Sequence, residues 1–222
     1  EDGRMYVPAH FALSDAQITE VLTSMSTGEL VTFGPHGLEA TRVPMLVDPT
    51  LGEHGALLCH LQRNNTQWQH TATEALVIID GPEHYVSPTW YPDGASGTVP
   101  TWDYVTVHAY GTLIAHHDPE WIRTQVSRLS DHFESGEMPW SIDDAPPEFV
   151  DRMLRAIVGV EIRLTRLQGK AKMSQNKPVP LIEAQLDHLG NHPAAAFKRD
   201  VSLPAARAKA SLVERARQSR RP

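Results

Sequence analysis

The sequence predicts a mainly β fold of the α+β class, a closed barrel with helices packed outside it. Three features say so. Six or seven short runs show the strand-like residue patterning of a sheet, the clearest of them alternating apolar and polar at the two-residue period. Gly and Pro separate several of those runs, as turns do. Helical segments interrupt the strands without alternating regularly with them, which argues against a doubly wound parallel sheet.

The first helix opens at Ser14, Gln17 three residues on completes a capping box, and Ile18, Val21, Leu22 and Met25 share one helical face. Residues 29–33, the turn Gly34-Pro35-His36-Gly37 and residues 38–47 read as a hairpin. On its second strand Val43, Met45 and Val47 take one face and Arg42 the other. Residues 55–61 and 75–80 are further strands, and Gly81-Pro82 is expected to turn the chain into Tyr85-Val86-Ser87. The longest strand, 104–115, carries Val105, Val107, Ala109 and Leu113 on an apolar face. Tyr104, Thr106, His108, Tyr110 and Thr112 line its other face. Asp118-Pro119 caps a second helix that Ile122, Val126, Leu129 and Phe133 continue, and Pro146-Pro147 opens a third that ends near Ala156. A last strand spans 158–164 and is followed by a polar loop through Lys177. Two helical stretches close the chain, one over 181–189 ended by Gly190, the other opened by Ser202 and Pro204. No internal repeat or low-complexity linker divides the sequence. It reads as one domain, a barrel over 5–177 with a helical C-terminal extension over 178–222.

At 222 residues, 41% hydrophobic and 21% charged, the chain is long enough to bury a full core. No apolar run approaches the roughly 18 residues a membrane helix needs. The opening EDGRMYVPAHF lacks the basic-then-apolar pattern of a secretory signal, so the cytoplasm is the expected compartment. Cys59 is the sole cysteine, which excludes an internal disulfide and any multi-cysteine zinc site. The net charge of −7 is uneven: residues 198–222 hold eight Lys/Arg against Asp200 and Glu214, a net +6 that leaves −13 for the rest. So acidic a body repels a phosphate backbone, and nucleic acid is not expected to bind except through the basic tail. The simpler expectation for that tail is a solvated helix.

Standard catalytic signatures are absent: there is no GxSxG, HExxH, Walker loop or strand-linked GxGxxG. Three clusters remain. The first runs from Cys59-His60 through Asn65 to Trp68, where His60 suits an iron ligand, a proton shuttle or a plain hydrogen-bonding histidine. The second holds Tyr85, Trp90, Tyr91, Trp102 and Tyr104, with two X-Pro bonds capable of the cis form and a Gly-rich loop between; so many aromatics suit the wall of a flat-ring site. The third, Gly169-Lys170-Ala171-Lys172-Met173-Ser174-Gln175-Asn176-Lys177, is a basic polar stretch that with Arg42 suits a phosphate or carboxylates, or else simply solvent.

Those clusters, in that order, resemble the PaiB family. The matching segments are Met5-Tyr6-Val7-Pro8-Ala9-His10-Phe11, Asn65 with Trp68, Gly81-Pro82, Tyr85-Val86-Ser87-Pro88, Trp90-Tyr91, Val99-Pro100-Thr101-Trp102, Val107-His108, and Lys172 with Ser174-Gln175-Asn176. The resemblance covers roughly residues 5–180 and implies an FMN-binding split β-barrel that forms a homodimer with its cofactor between subunits. It also implies two careers. One is that of an FMN-binding negative transcriptional regulator or a cofactor-binding sensor. The other is that of a heme- or FMN-dependent enzyme, the piperazate synthases of this type making an N–N bond on an N-hydroxylated amino acid. Asp103 stands where Asn is expected, Ala171 where a bulky aromatic is, and Arg42 where many relatives carry His. Those departures tilt the expected cofactor from FMN towards heme.

The resemblance assigns roles accordingly. His60 is the expected metal ligand if heme is bound, with His108 next in line. Arg42, Lys172, Ser174, Gln175 and Asn176 are expected on the cofactor's anionic groups, and Trp68, Trp90 and Trp102 against its ring. Asp103, His108 and Tyr104 are the expected catalytic groups, holding a small substrate such as an amino acid or relaying its protons.

Overall fold

The hairpin Thr27–Gly34 (β1) and Gly37–Pro44 (β2) starts a seven-stranded sheet, its register running from Thr27↔Pro44 to Gly34↔Gly37. Only Pro35 and His36 lie between the paired ends, and Gly37 takes a φ of +107° that a side chain would resist. The other strands are Leu46–Asp48 (β3), Ala56–Gln62 (β4), Glu74–Val86 (β5), Thr101–His116 (β6) and Ile157–Lys172 (β7). The sheet order is β2-β1-β5-β6-β7-β4-β3, and β1–β2, β1–β5, β3–β4 and β4–β7 all pair antiparallel. The computed structural model describes residues 5–91 and 97–218; most of the Gly-rich loop after Tyr91, and Arg220 and Arg221 of the basic tail, lie outside the described residues.

The chain divides into two interleaved compact units. Unit 2 comprises Asp15–Ile79 and Val107–Gln168, and unit 1 comprises Glu1–Ser14, Asp80–Thr106 and Gly169–Pro222.

Unit 2 holds most of the sheet. Along β6, Val107, Ala109 and Leu113 are fully buried, as their alternation requires. Gly111 interrupts them because β7 comes close: a Cβ there would fall on the Arg163 carbonyl. β2 also packs against β4, far from it in sheet order, as strands of a curled sheet do. Asp15–Ser24 (α1) buries Ile18, Val21 and Leu22. Pro119–Phe133 (α2) is capped by Asp118, whose carboxylate accepts from the Glu120 and Trp121 amides at 3.4 and 3.2 Å. With Pro147–Arg155 (α3) it encloses a small core of Ile122, Ile142, Val150 and Leu154.

Unit 1 takes the remaining lengths of β5, β6 and β7, with Ala12 bridging Lys170. Val179–Leu189 (α4) stops at Gly190, whose φ of +52° turns the chain and whose N–H donates to the Leu186 carbonyl. Pro193–Phe197 (α5), a π-helical turn Lys198–Ser202 and Leu203–Gln218 (α6) then run on without a break. Among the described residues no helix is long and apolar enough to cross a membrane.

Four expectations from sequence need correction. The segment 38–47 is two strands, because the chain breaks at Met45, whose amide donates to the Ser26 carbonyl; Leu46 is thereby turned inward. Gly81-Pro82 is no turn but lies within β5, where the missing side chain of Gly81 lets Val105 of β6 approach; a Cβ would meet it at 3.0 Å. Residues 169–172 belong to β7, not to a loop, since the Gly169 carbonyl accepts from Leu13 N–H and the burial alternation continues to Ala171. The last helical run begins at Pro193, well before Ser202, and Lys198 and Ser202 are fully buried rather than part of a solvated tail. The Ser87-Pro88 and Val99-Pro100 bonds of the aromatic segment are trans.

Candidate functional site

Asp103 is the centre of a buried polar network in unit 1. It continues the inward register of Val105 and Val107 along β6, so the strand buries a carboxylate to 1% exposure. An isolated buried carboxylate is very unfavourable, and here it is compensated. The Lys198 ammonium, itself fully buried, donates to Asp103 Oδ2, to Gln185 Oε1 at 2.5 Å and to the Met173 carbonyl at 3.3 Å. Ser174 Oγ donates to the same carboxylate at 2.7 Å. Gln185 Nε2 donates to Tyr91 Oη at 2.8 Å. Burial lowers the Lys198 pKa and the Asp103 charge opposes that shift. The π turn brings Lys198 and Ser202 inward together, and Ser202 Oγ donates to the Met173 carbonyl at 2.8 Å.

Lys172, on the last residue of β7, stands 3.9 Å from Asp103 Oδ1 and donates to Thr101 Oγ1 at 2.6 Å and to the Trp102 carbonyl. It lines a cavity of about 230 Å³ with Thr101, Asp103, Ser174, Asn176 and Lys177. Ser174 holds a φ of +67°, a conformation costly for any residue but glycine and common at functional sites. Gln175 is committed locally: its Oε1 accepts from Met173 N–H at 2.8 Å and its Nε2 donates to the Ala171 carbonyl at 2.6 Å.

Beside this network lies His84, 7% exposed, with both ring nitrogens buried and unpartnered among the described residues. Its pKa falls to about 4, first through burial, then through the nearby positive charges of Lys198, His192 and Lys172, against the pull of Asp103. Trp90 lies parallel to it at 6.4 Å and stacks on His188 at 5.1 Å. Trp102 is 54% exposed and meets Tyr85 edge-on at 6.1 Å. Tyr104 has the Lys170 ammonium over its ring at 5.5 Å.

The other expected site residues belong to unit 2. Arg42 is exposed on β2, pairs with Glu29 at 3.1 Å and donates to Thr27 at 3.0 Å. His60, on β4, is half-buried with Nδ1 3.4 Å from Gln125 Oε1, and burial lowers its pKa. Trp68 donates to the Arg63 carbonyl at 3.1 Å and meets His117 edge-on. His108 meets Tyr110 edge-on at 6.3 Å. The structure thus gathers Asp103, Lys172, Ser174 and Asn176 around one cavity; the polar network beside it adds Tyr91, read from sequence only as a ring-wall aromatic, and Lys198, Gln185 and His84, none of which was among the residues chosen from sequence. The strand parity that buries Asp103 called for a buried polar partner, without pointing to which residue supplies it. No group of three or more metal-ligating side chains occurs among the described residues.

The sequence matches the family model described as "Putative FMN-binding domain" over residues 5–166. Among curated relatives it is 36% identical over 143 residues to an uncharacterized protein of Aspergillus fumigatus, covering 54% of this chain and 55% of that one. It is 28% identical over 176 residues to protease synthase and sporulation protein PAI 2 of Bacillus subtilis, covering 78% of this chain and 83% of that one. The match to the fungal relative therefore spans about half of that protein's length. Solved structures of similar fold include the flavocytochrome Anf3 of Azotobacter vinelandii, with a TM-score of 0.55 at 9% identity over 77% of this chain and 74% of that one. Another is the conserved hypothetical protein Rv2991 of Mycobacterium tuberculosis, with a TM-score of 0.51 at 16% identity over 76% and 91%. These likenesses speak for the fold alone. With the family model matching well over half of the chain, and a curled antiparallel sheet to carry it, the protein belongs to the PaiB-type family of FMN-binding split-barrel domains.

Proposed function

We propose that the chain is a redox domain that binds FMN, its phosphate held by Lys172 and Lys177. The observation that carries this reading is the cavity those lysines line with Asn176 and Thr101, in a chain of an FMN-binding family. Lys198 already balances Asp103, so the two lysines leave the cavity net positive, as a phosphate dianion requires. Thr101 Oγ1 fixes the Lys172 ammonium at the wall, and Asn176 adds an amide donor. Ser174 and Gln175 shape the turn and leave phosphate contact to their neighbours. About 230 Å³ suits a phosphate and the chain next to it rather than a three-ring flavin, so the ring is expected against the exposed Tyr85–Trp102 pair. That pair is also the face on which we expect a second copy, in keeping with a homodimer. Bound FMN would supply hydride or single-electron transfer, and the protein its binding and electrostatics.

A second reading makes His60 the axial ligand of heme, with N–N bond formation on an N-hydroxylated amino acid as the chemistry. One observation favours it: burial keeps His60 neutral, and its Nε2 has no hydrogen-bond partner among the described residues. Against it, Asp103, the group needed for a substrate's ammonium, is engaged by Lys198 and Ser174. A regulator reading draws on the basic tail, from which Lys198 is withdrawn into the interior.

The absorption spectrum of the purified chain, before and after incubation with each cofactor, separates the readings. Flavin gives bands at about 370 and 450 nm and heme a Soret band at about 400 nm. A Soret band that His60→Ala abolishes, with no retention of FMN, would replace the first reading by the second.

A further inference from the structure

Unit 2 contains a cavity of its own, about 330 Å³ in volume, at the small end of ligand pockets, which run from roughly 300 to 1,000 Å³. Its wall includes Trp140, Phe149, Met153 and Ile142, and holds no carboxylate, Lys or Arg. Trp140, Phe149 and Met153 stay nearly half exposed while sharing the cavity wall with the buried core residues Ile142, Val150 and Leu154. A charged ligand entering this space would lose its hydration and find no partner. His60 and Gln62 are the polar residues of the wall.

His60 is held in a defined way. Gln125 is 2% exposed and is not part of the cavity wall, and its Oε1 faces His60 Nδ1 at 3.4 Å. That contact sets the Nδ1–H tautomer and leaves Nε2, with its lone pair, to the cavity. Gln125 Nε2 is meanwhile buried without a partner among the described residues, so the His60 contact is what offsets the burial of this amide.

We propose that this cavity binds a neutral aromatic molecule, about two fused rings in size, that carries a hydrogen-bond donor of the phenol or indole class and donates it to His60 Nε2. The aromatic and thioether side chains grip the ring faces and edges, and the one fixed acceptor selects for a donor. The site uses residues of unit 2 alone and is independent of the flavin reading.

The test is calorimetric titration of the full chain with 2-naphthol and with 2-methoxynaphthalene, which keeps the rings and loses the donor. Wild type is expected to prefer 2-naphthol about tenfold, the worth of one hydrogen bond to a buried acceptor. His60→Phe keeps the ring volume and is expected to bind both probes alike. Because that variant risks misfolding, the ¹⁵N shift of His60 Nε2 is read in wild type as well; 2-naphthol should move it and the ether should not. Equal affinities for the two probes in wild type overturn the proposal, and so does binding of neither, the result expected if a second copy of the chain covers this face. FMN content does not enter either measurement, so the flavin reading and this one fail separately.

Discussion

Lys198, from the π turn between α5 and α6, donates to Asp103 on β6 with both side chains closed off from solvent. The pair ties the helical C-terminal run to the sheet, and breaking it from one side leaves a buried charge alone. Lys198→Met is therefore expected to destabilise by about 3–5 kcal/mol, and Asp103→Leu by a similar amount. The double variant should recover much of that loss, because no charge remains buried. Urea denaturation of the four proteins gives the coupling directly, and additive losses would show that the two side chains do not depend on each other.

His84 makes stability depend on pH. Its pKa in the fold is about 4, against an ordinary 6.5, so between those values the unfolded chain binds a proton that the folded chain refuses. The stabilisation is present above pH 6.5 and is lost as pH falls through the window to 4, by up to about 3 kcal/mol. His84→Phe should flatten the profile of unfolding free energy across that window. An unchanged slope would mean that another group titrates there.

Gly111 is required by the close approach of β7. In Gly111→Ala the new Cβ meets the Arg163 carbonyl, backbone that cannot swing aside, and a loss of about 1–3 kcal/mol is expected from the crowding. Thermal unfolding reads it. Gly37→Ala has open space around its Cβ and tests only the strain of a positive φ.

Arg42 separates stability from binding. Its pair with Glu29 is solvent-exposed, so Arg42→Ala should change stability by no more than about 0.5 kcal/mol. If the guanidinium serves the cofactor's phosphate, the same variant weakens FMN binding about tenfold and Lys at this position restores only part of it. Glu29→Gln, which releases the guanidinium, should leave FMN affinity unchanged or improved. Flavin fluorescence titration reads all three, and full affinity in Arg42→Ala takes this residue out of the site.

Strand parity made most of the barrel legible. The period of two along β6 gave Val105, Val107, Ala109 and Leu113 their buried face, and Asp118-Pro119 marked the start of α2. The same parity reaches Asp103, but the carboxylate there reads as a ligand-facing group until its partner, 95 residues away, is known. Lys198 sits in a basic, helix-forming stretch whose local pattern is that of a solvated face; only the π turn directs it inward. Gly81-Pro82 carries the local signature of a turn, and the neighbouring strand overrides it. The clusters themselves were legible as chemistry, whereas their division between two units is a product of long-range pairing that one sequence does not display.

The central claim is that Lys172 and Lys177 hold the phosphate of FMN. Titrating the chain with FMN, followed by quenching of flavin fluorescence, tests it in wild type and in a Lys172→Met, Lys177→Met double variant whose fold is checked by circular dichroism. Loss of two charge-assisted contacts is expected to weaken binding roughly a hundredfold, with riboflavin, which lacks the phosphate, bound about equally by both proteins. FMN bound as tightly by the double variant as by wild type would contradict the account.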